Sequence, residues 1–141
     1  MGVLGLIPAS QALRDKMAAI EAYLPPCDLP VREFKMRGVY AREISIPAGH
    51  VLTGRVHKFE NLNIMSAGRV SLVTDGEPVV IEAPYTIVSP AGTKRVAYAH
   101  TDTVWTTICR IDDDVEDVVS ALTTADYKEY LEFHAPTLGA N

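Results

Sequence analysis

Arg55 and His57 flank a single valine in a stretch rich in β-branched residues, so on a strand both side chains leave by the same face. A guanidinium is permanently charged and has no lone pair, and its fork of N–H donors matches carboxylate and phosphate oxygens in pairs. An imidazole beside it can donate or accept a hydrogen bond near neutral pH. Such a pair is suited to holding an anion. Asn61 and Asn63 share a face by the same alternation, and their amides can bond a ribose or a base edge. Tyr40, Tyr98 and Trp105 offer ring faces for stacking. Gly92-Thr93-Lys94 presents backbone amides to a phosphate, although the full phosphate-loop pattern is missing. Other chemistries are poorly served. No nucleophile elbow surrounds a serine, and Cys109 has no evident base, so no hydrolase triad emerges.

The elements that must position these residues fall into three zones: residues 1–30, 31–111 and 112–141. In the first, Leu13, Met17, Ile20 and Leu24 recur at helical spacing after an N-cap at Ser10, and Pro25-Pro26 ends the run. That stripe suits a packing helix, laid on the side of a barrel or on another subunit. The second zone is rich in Val, Ile, Thr and Tyr and is cut by turns such as Pro47-Ala48-Gly49 and Asp75-Gly76. Eight short strands are predicted between Val39 and Ile111, which implies an all-β sandwich or barrel. The third zone is predicted helical from Asp112. Its acidic cluster, Asp112, Asp113, Asp114, Glu116 and Asp117, reads as a capped helix start rather than a metal site.

The chain has 141 residues, the length of one domain able to bury a core without disulfides or metal staples. Hydrophobic residues make up 48%, which excludes a disordered chain. No apolar run is long enough to span a bilayer, and Met1–Ile7 lacks the basic flank of a signal peptide. A cytoplasmic protein is therefore expected, without a membrane partner. Cys27 and Cys109 form no close pair and read as buried thiols. The net charge of −5 argues against binding a nucleic acid polymer, which needs a basic stripe.

The turn skeleton resembles that of the cupins. In the first cupin motif, which runs from glycine to glycine, Gly49 and Gly68 fall at the ends, Arg55 and His57 at the two histidines, and Asn61 at the glutamate. In the second motif, Pro90-Ala91-Gly92 matches the turn, and Arg95 falls at its histidine. The runs Arg55-Val56-His57-Lys58 and Gly92-Thr93-Lys94-Arg95-Val96 also resemble small cupin-like proteins of bacteriophages. The resemblance implies a cupin or jelly-roll barrel with an N-terminal helix and C-terminal helices. It implies that Arg55 and His57 look into the barrel, with Arg95 approaching from a facing strand. Cupins that use metal hold it with three imidazoles and a carboxylate, of which only His57 remains here. Glu60 and His100 are the fallback ligands beside His57, but strand alternation turns each away from the site.

No cofactor is therefore expected. The leading expectation is a non-enzymatic binding protein that takes a small anionic, nucleotide-like ligand on Arg55, His57, Asn61, Asn63, Lys94, Arg95 and Tyr98. The phage resemblance extends this to sequestering a nucleotide signal of host defence in the bacterial cytoplasm. A homo-oligomer is expected, because sheet edges and apolar tails want burial. Two other readings remain open. The barrel can be closed and inert, with Arg55 and Arg95 paired to Glu43, Glu82 or another buried carboxylate and His57 a core histidine, as in a structural phage virion protein such as a capsid cement or tail component. Alternatively the protein is a metal-dependent cupin enzyme using His57, Glu60 and His100.

Overall fold

The computed structural model describes residues 28–74 and 77–134. The helix predicted within residues 1–27, the Asp75-Gly76 turn and the tail beyond His134 lie outside the described residues.

Alternating apolar residues build two facing sheets. One has five strands in the order β1-β2-β10-β5-β8: β1 Val31–Met36, β2 Val39–Ile46, β5 Asn61–Ala67, β8 Tyr85–Ser89 and β10 Thr103–Arg110. The other runs β3-β9-β6-β7: β3 Val51–Thr53, β6 Arg69–Val73, β7 Val79–Glu82 and β9 Val96–Ala99. Neighbours in both sheets pair antiparallel. Strand alternation sends Ile46, Met65, Val70, Leu72, Ile81, Ala97, Ala99 and Trp105 into one core between the sheets. Burying the larger aliphatic ones among them, Ile46, Met65, Val70, Leu72 and Ile81, contributes about 1.5–3 kcal/mol each relative to leaving them exposed.

The predicted stretch His50–His57 is broken in two. The chain leaves β3 at Gly54, where its amide bonds the Arg95 carbonyl at 3.0 Å, and re-enters as β4, Val56–His57. The C-terminal zone also differs from its prediction. The helix does not start at Asp112; the acidic run is a turn, and only Asp117 caps α1, Val118–Leu122, by accepting a bond from the Ser120 amide at 3.2 Å. Asp113 is drawn off instead to the amide of Gly38 at 2.9 Å. After α1 the chain forms β11, Thr123–Thr124, which pairs antiparallel with β4, then α2, Tyr127–Phe133, capped by Asp126.

Two glycines are dictated by close approach. At Gly68, φ is 106°, and a Cβ would strike the side chain and backbone of Thr103. At Gly92, φ is 86°, and a Cβ would sit 3.0 Å from the Tyr130 ring. The Pro90-Ala91-Gly92 turn is thereby clamped under α2. A second apolar cluster, Tyr40, Cys109, Ile111 and Leu122, ties α1 to the end of the barrel. Cys109 is buried, as read from the sequence.

Candidate functional site

A cavity of about 360 Å³ opens between the two sheets on the side covered by α1 and β11. Its floor is apolar: Ile44, Ile46, Leu52, Leu72, Ala97 and Trp105. Its polar lining is cationic or hydroxylic, namely Arg42, Arg55, His57 and Arg95 with Thr53, Thr93, Thr107 and Thr123. No aspartate or glutamate is among the residues lining it.

Arg95 leaves the turn before β9 on the inward face that Ala97 and Ala99 continue. Its Nη1 donates to Ser89 Oγ at 2.5 Å, and its guanidinium lies 5.4 Å from the Trp105 ring centroid. Burial pulls its pKa down to about 10, so it stays charged at neutral pH. His57 is held by the β4–β11 ladder. Burial first, then the charges of Arg95 and Arg42, push its imidazole down to about 4. It is therefore neutral at pH 7 and free to exchange a hydrogen bond with a guest. Arg55 stands further out. It is exposed at the cavity mouth, where Nε donates to Thr123 Oγ1 at 2.8 Å. Thr123 in turn donates to the Val119 carbonyl at 2.6 Å, so the arginine is fastened to the C-terminal cover.

The carboxylates suggested as internal partners are engaged elsewhere. Glu43 accepts from Arg32 Nε at 2.9 Å, and Glu82 lies 3.2 Å from Arg69 Nε. Neither ion pair touches the cavity. Acidic groups appear only outside it. Asp117 is lowered mainly by its Ser120 bonds and slightly by Arg55, and Glu33 helps burial to raise the Tyr40 phenol.

The other predicted residues are distributed differently. Asn61 and Asn63 are buried and bonded to each other, and neither lines the cavity. Asn63 Nδ2 donates to Asn61 Oδ1 at 2.7 Å and Ser89 Oγ at 3.0 Å, while its Oδ1 accepts from Trp105 Nε1 at 3.0 Å and Thr107 Oγ1 at 2.9 Å. Asn61 Nδ2 donates to the Phe59 carbonyl at 3.1 Å. With every donor and acceptor of Asn63 used, no group on it remains to read a ligand. Lys94 is buried but does not line the cavity. Tyr98 is exposed on the outer face of β9, its ring edge-on to His100 at 5.0 Å, so it does not join the cluster. Trp105 and Tyr40, by contrast, do line the cavity.

The fallback metal set does not assemble. His100 is bonded to Ser71 Oγ at 2.6 Å on the outside of the barrel, and exposed Glu60 lies off the end of β5, outside the cavity lining. Among the described residues no three His, Cys, Asp or Glu side chains come together as a metal set. The two arginines that line the cavity beside His57, Arg55 and Arg95, repel a cation and offer no lone pair, so this donor set does not fit a bound metal ion.

Sequence reasoning passed over Arg42 and Ser89. Arg42 was findable: Tyr40, Arg42, Ile44 and Ile46 alternate onto the inward face of β2, and an arginine in that register is anomalous. Ser89 carried no signal, because its role depends on meeting Arg95 and Asn63 in space.

Solved structures show what the architecture is. The chain superposes on an RmlC-like cupin family protein with a double-stranded β-helix fold from Methanocaldococcus jannaschii with TM-score 0.50 and 15% identity, covering 59% of this chain and 80% of that one. A salicylate 1,2-dioxygenase from Pseudaminobacter salicylatoxidans gives TM-score 0.53 at 14% identity, covering 69% of this chain and 31% of that one. A DMSP lyase from Ruegeria pomeroyi gives TM-score 0.52 at 15% identity, covering 62% and 49%. No family model and no curated protein matches the chain. The protein thus has the cupin fold, a mostly β double-stranded β-helix with two short C-terminal helices, as its glycine and proline skeleton implied. Among the described residues no helix is long and apolar enough to cross a membrane.

Proposed function

We propose that the protein is a binding protein that holds one small organic anion inside the barrel and does not transform it. Arg95 is the inner anchor, His57 contributes a neutral hydrogen-bonding partner beside it, and Arg55 and Arg42 close on the anion at the mouth. The observation that carries this reading is the lining itself: three guanidinium groups and an imidazole converge on a cavity without a carboxylate. Guanidinium charge held away from water is costly unless an anion answers it. The apolar floor and the Trp105 ring favour a guest with a flat or apolar body attached to its carboxylate or phosphate.

A nucleotide meets that description, with its phosphate on the arginines and its base against Trp105. It would not be read by Asn61 or Asn63. Sequestration of a nucleotide signal in a phage-infected cell is the narrowest form of the proposal, and it rests on the sequence resemblance to phage cupin-like proteins. Isothermal titration with inorganic phosphate, benzoate and a panel of linear and cyclic nucleotides tests both levels. Saturable heat with one of these that is lost in Arg95→Gln supports anion capture, and a nucleotide outcompeting phosphate supports the narrow form. No heat with any of them, or heat that Arg95→Gln leaves intact, overturns it.

A further inference from the structure

Three of the threonine hydroxyls in the cavity lining have already committed their proton. Thr93 Oγ1 lies 2.6 Å from the Pro90 carbonyl, and Thr123 Oγ1 lies 2.6 Å from the Val119 carbonyl. A carbonyl oxygen only accepts, so in each pair the hydroxyl donates. Thr107 needs one more step. Its Oγ1 is 2.9 Å from Asn63 Oδ1, and the indole Nε1 of Trp105 meets the same atom at 3.0 Å. An indole N–H only donates, so that atom of the amide is its oxygen and not its nitrogen, and the Thr107 hydroxyl must also donate to it. Asn63 Nδ2, occupied with Asn61 Oδ1 and Ser89 Oγ, fixes the amide the same way round. Toward the cavity these hydroxyls have only lone pairs left. At Thr123 one lone pair is taken by Arg55 Nε. Thr93 is almost wholly buried, whereas Thr107 is half-buried in the cavity wall.

The charged part of the lining has the opposite character. Arg42, Arg55 and Arg95 only donate. Thr53 and the neutral imidazole of His57 can serve either way. Arg42 is the direct cross-strand partner of Thr107. The Arg95 guanidinium lies 5.4 Å from the ring of Trp105, the cavity-lining residue two before Thr107 on β10. An obligate acceptor thus stands among obligate donors. A guest that carries only acceptors answers the arginines but turns its own lone pairs toward those of Thr107.

We infer that Thr107 is a specificity-determining residue of this site, and that the guest carries an O–H or N–H donor about one ring's length from its anionic group. The inference rests on the anion-binding reading and narrows it. Successive positions on one face of an antiparallel strand lie about 7 Å apart, the scale of one ring substituted at both ends. With the charge of the guest on Arg95 beside Trp105, its donor reaches Thr107. A hydroxy- or amino-substituted aromatic acid has this pattern. A nucleoside phosphate has it too, through a ribose hydroxyl or a base N–H. Inorganic phosphate and an unsubstituted carboxylate lack it.

Isothermal titration of the full chain tests it with two matched pairs: para-hydroxybenzoate against para-methoxybenzoate, and adenosine monophosphate against its dideoxy form. Within each pair the charge is the same and hydroxyl protons are lost. The donor-bearing member of at least one pair should bind about tenfold tighter, the effect of one well-made hydrogen bond. The pair that shows the preference identifies the source of the guest, aromatic acid or nucleotide. Thr107→Val keeps the shape and removes the acceptor, so it should erase the preference while benzoate binds as it does to the wild type. Thr107→Ser should retain the preference, and Thr107→Ala replaces the valine variant if that one does not fold. Equal affinities within both pairs of the wild type, or a preference that survives in Thr107→Val or Thr107→Ala, overturn the inference. Anion capture then still stands if benzoate or phosphate binds and the binding is lost in Arg95→Gln. No binding of any of these anions overturns both.

Discussion

Asn63 and Arg95 both face the barrel interior and are joined through the same hydroxyl, Ser89 Oγ, yet they are solved in opposite ways. Around Asn63 every hydrogen-bonding group has a partner within the protein. Around Arg95 one N–H is used by Ser89, the Trp105 ring takes the cation's face, and no carboxylate lines the space beyond. The first arrangement is complete without a guest; the second is not. The difference teaches how to separate structural from functional polarity inside one barrel. A buried amide whose valences are all satisfied rigidifies the core, whereas a desolvated cation with spare donors beside a cavity waits for an anion.

The contrast can be broken at either end. The largest effect belongs to Asn63→Ala. It strips partners from Trp105, Thr107, Ser89 and Asn61 at once, and should destabilise the fold by about 3 kcal/mol or more, because each orphaned buried group costs about 1–3 kcal/mol. Denaturant melts measure it, and a loss below about 1 kcal/mol would put the network outside the structural class. Arg95→Met should do the reverse. Anion affinity falls by about 10–100-fold, since a hydrogen bond to a charged group contributes about 1.5–3 kcal/mol. The stability of the ligand-free protein holds or rises, because an uncompensated charge leaves a buried site. A marked loss of stability in Arg95→Met would show that the guanidinium serves the fold.

Protonation of His57 sharpens the same comparison. Its folded pKa of about 4 lies below the ordinary 6.5 of histidine, so the unfolded chain binds the extra proton more readily in that interval. The contribution is fully present above about pH 6.5 and is lost as pH falls toward 4. Stability should decline across that window, and His57→Gln should flatten the decline. A bound anion should raise the histidine pKa and make binding tighter at low pH, which titrations at two pH values would read. Arg42→Ala should have a smaller effect than Arg95→Met, because the rim guanidinium is exposed and solvent screens it. Thr123→Val should change least. It removes the anchor of Arg55, and the expected sign is faster exchange of the guest with little change in affinity.

Much of the frame was legible in the linear chain. Alternation in Val39–Ile46 and the turn at Pro47-Ala48-Gly49 are local, and local rules decide them. The spacing of Arg55 and His57 was also legible, but only as a shared face on one strand, and both line the cavity. The depth of each side chain was not. Arg55 follows a break in the strand and ends at the mouth, while Arg95 goes inside. Tyr98 was misplaced because stacking capacity is a property of the residue, whereas its direction follows from register. Three residues past Arg95, it turns to the outer face. The acidic run from Asp112 has helix-start composition, yet tertiary contacts, such as the Gly38 amide on Asp113, hold it as a turn.

By itself the sequence determined periodicity, turn chemistry and which residue types follow one another at a spacing of two along a strand, because these depend on neighbours a few positions away. Only the tertiary structure decided which cations are left without a carboxylate and which amides are satisfied. Those answers depend on groups far apart in the chain, such as Ser89 with Asn63 and Arg95, or Thr123 with Arg55, meeting within hydrogen-bond distance. No spacing rule along a single strand encodes such a meeting.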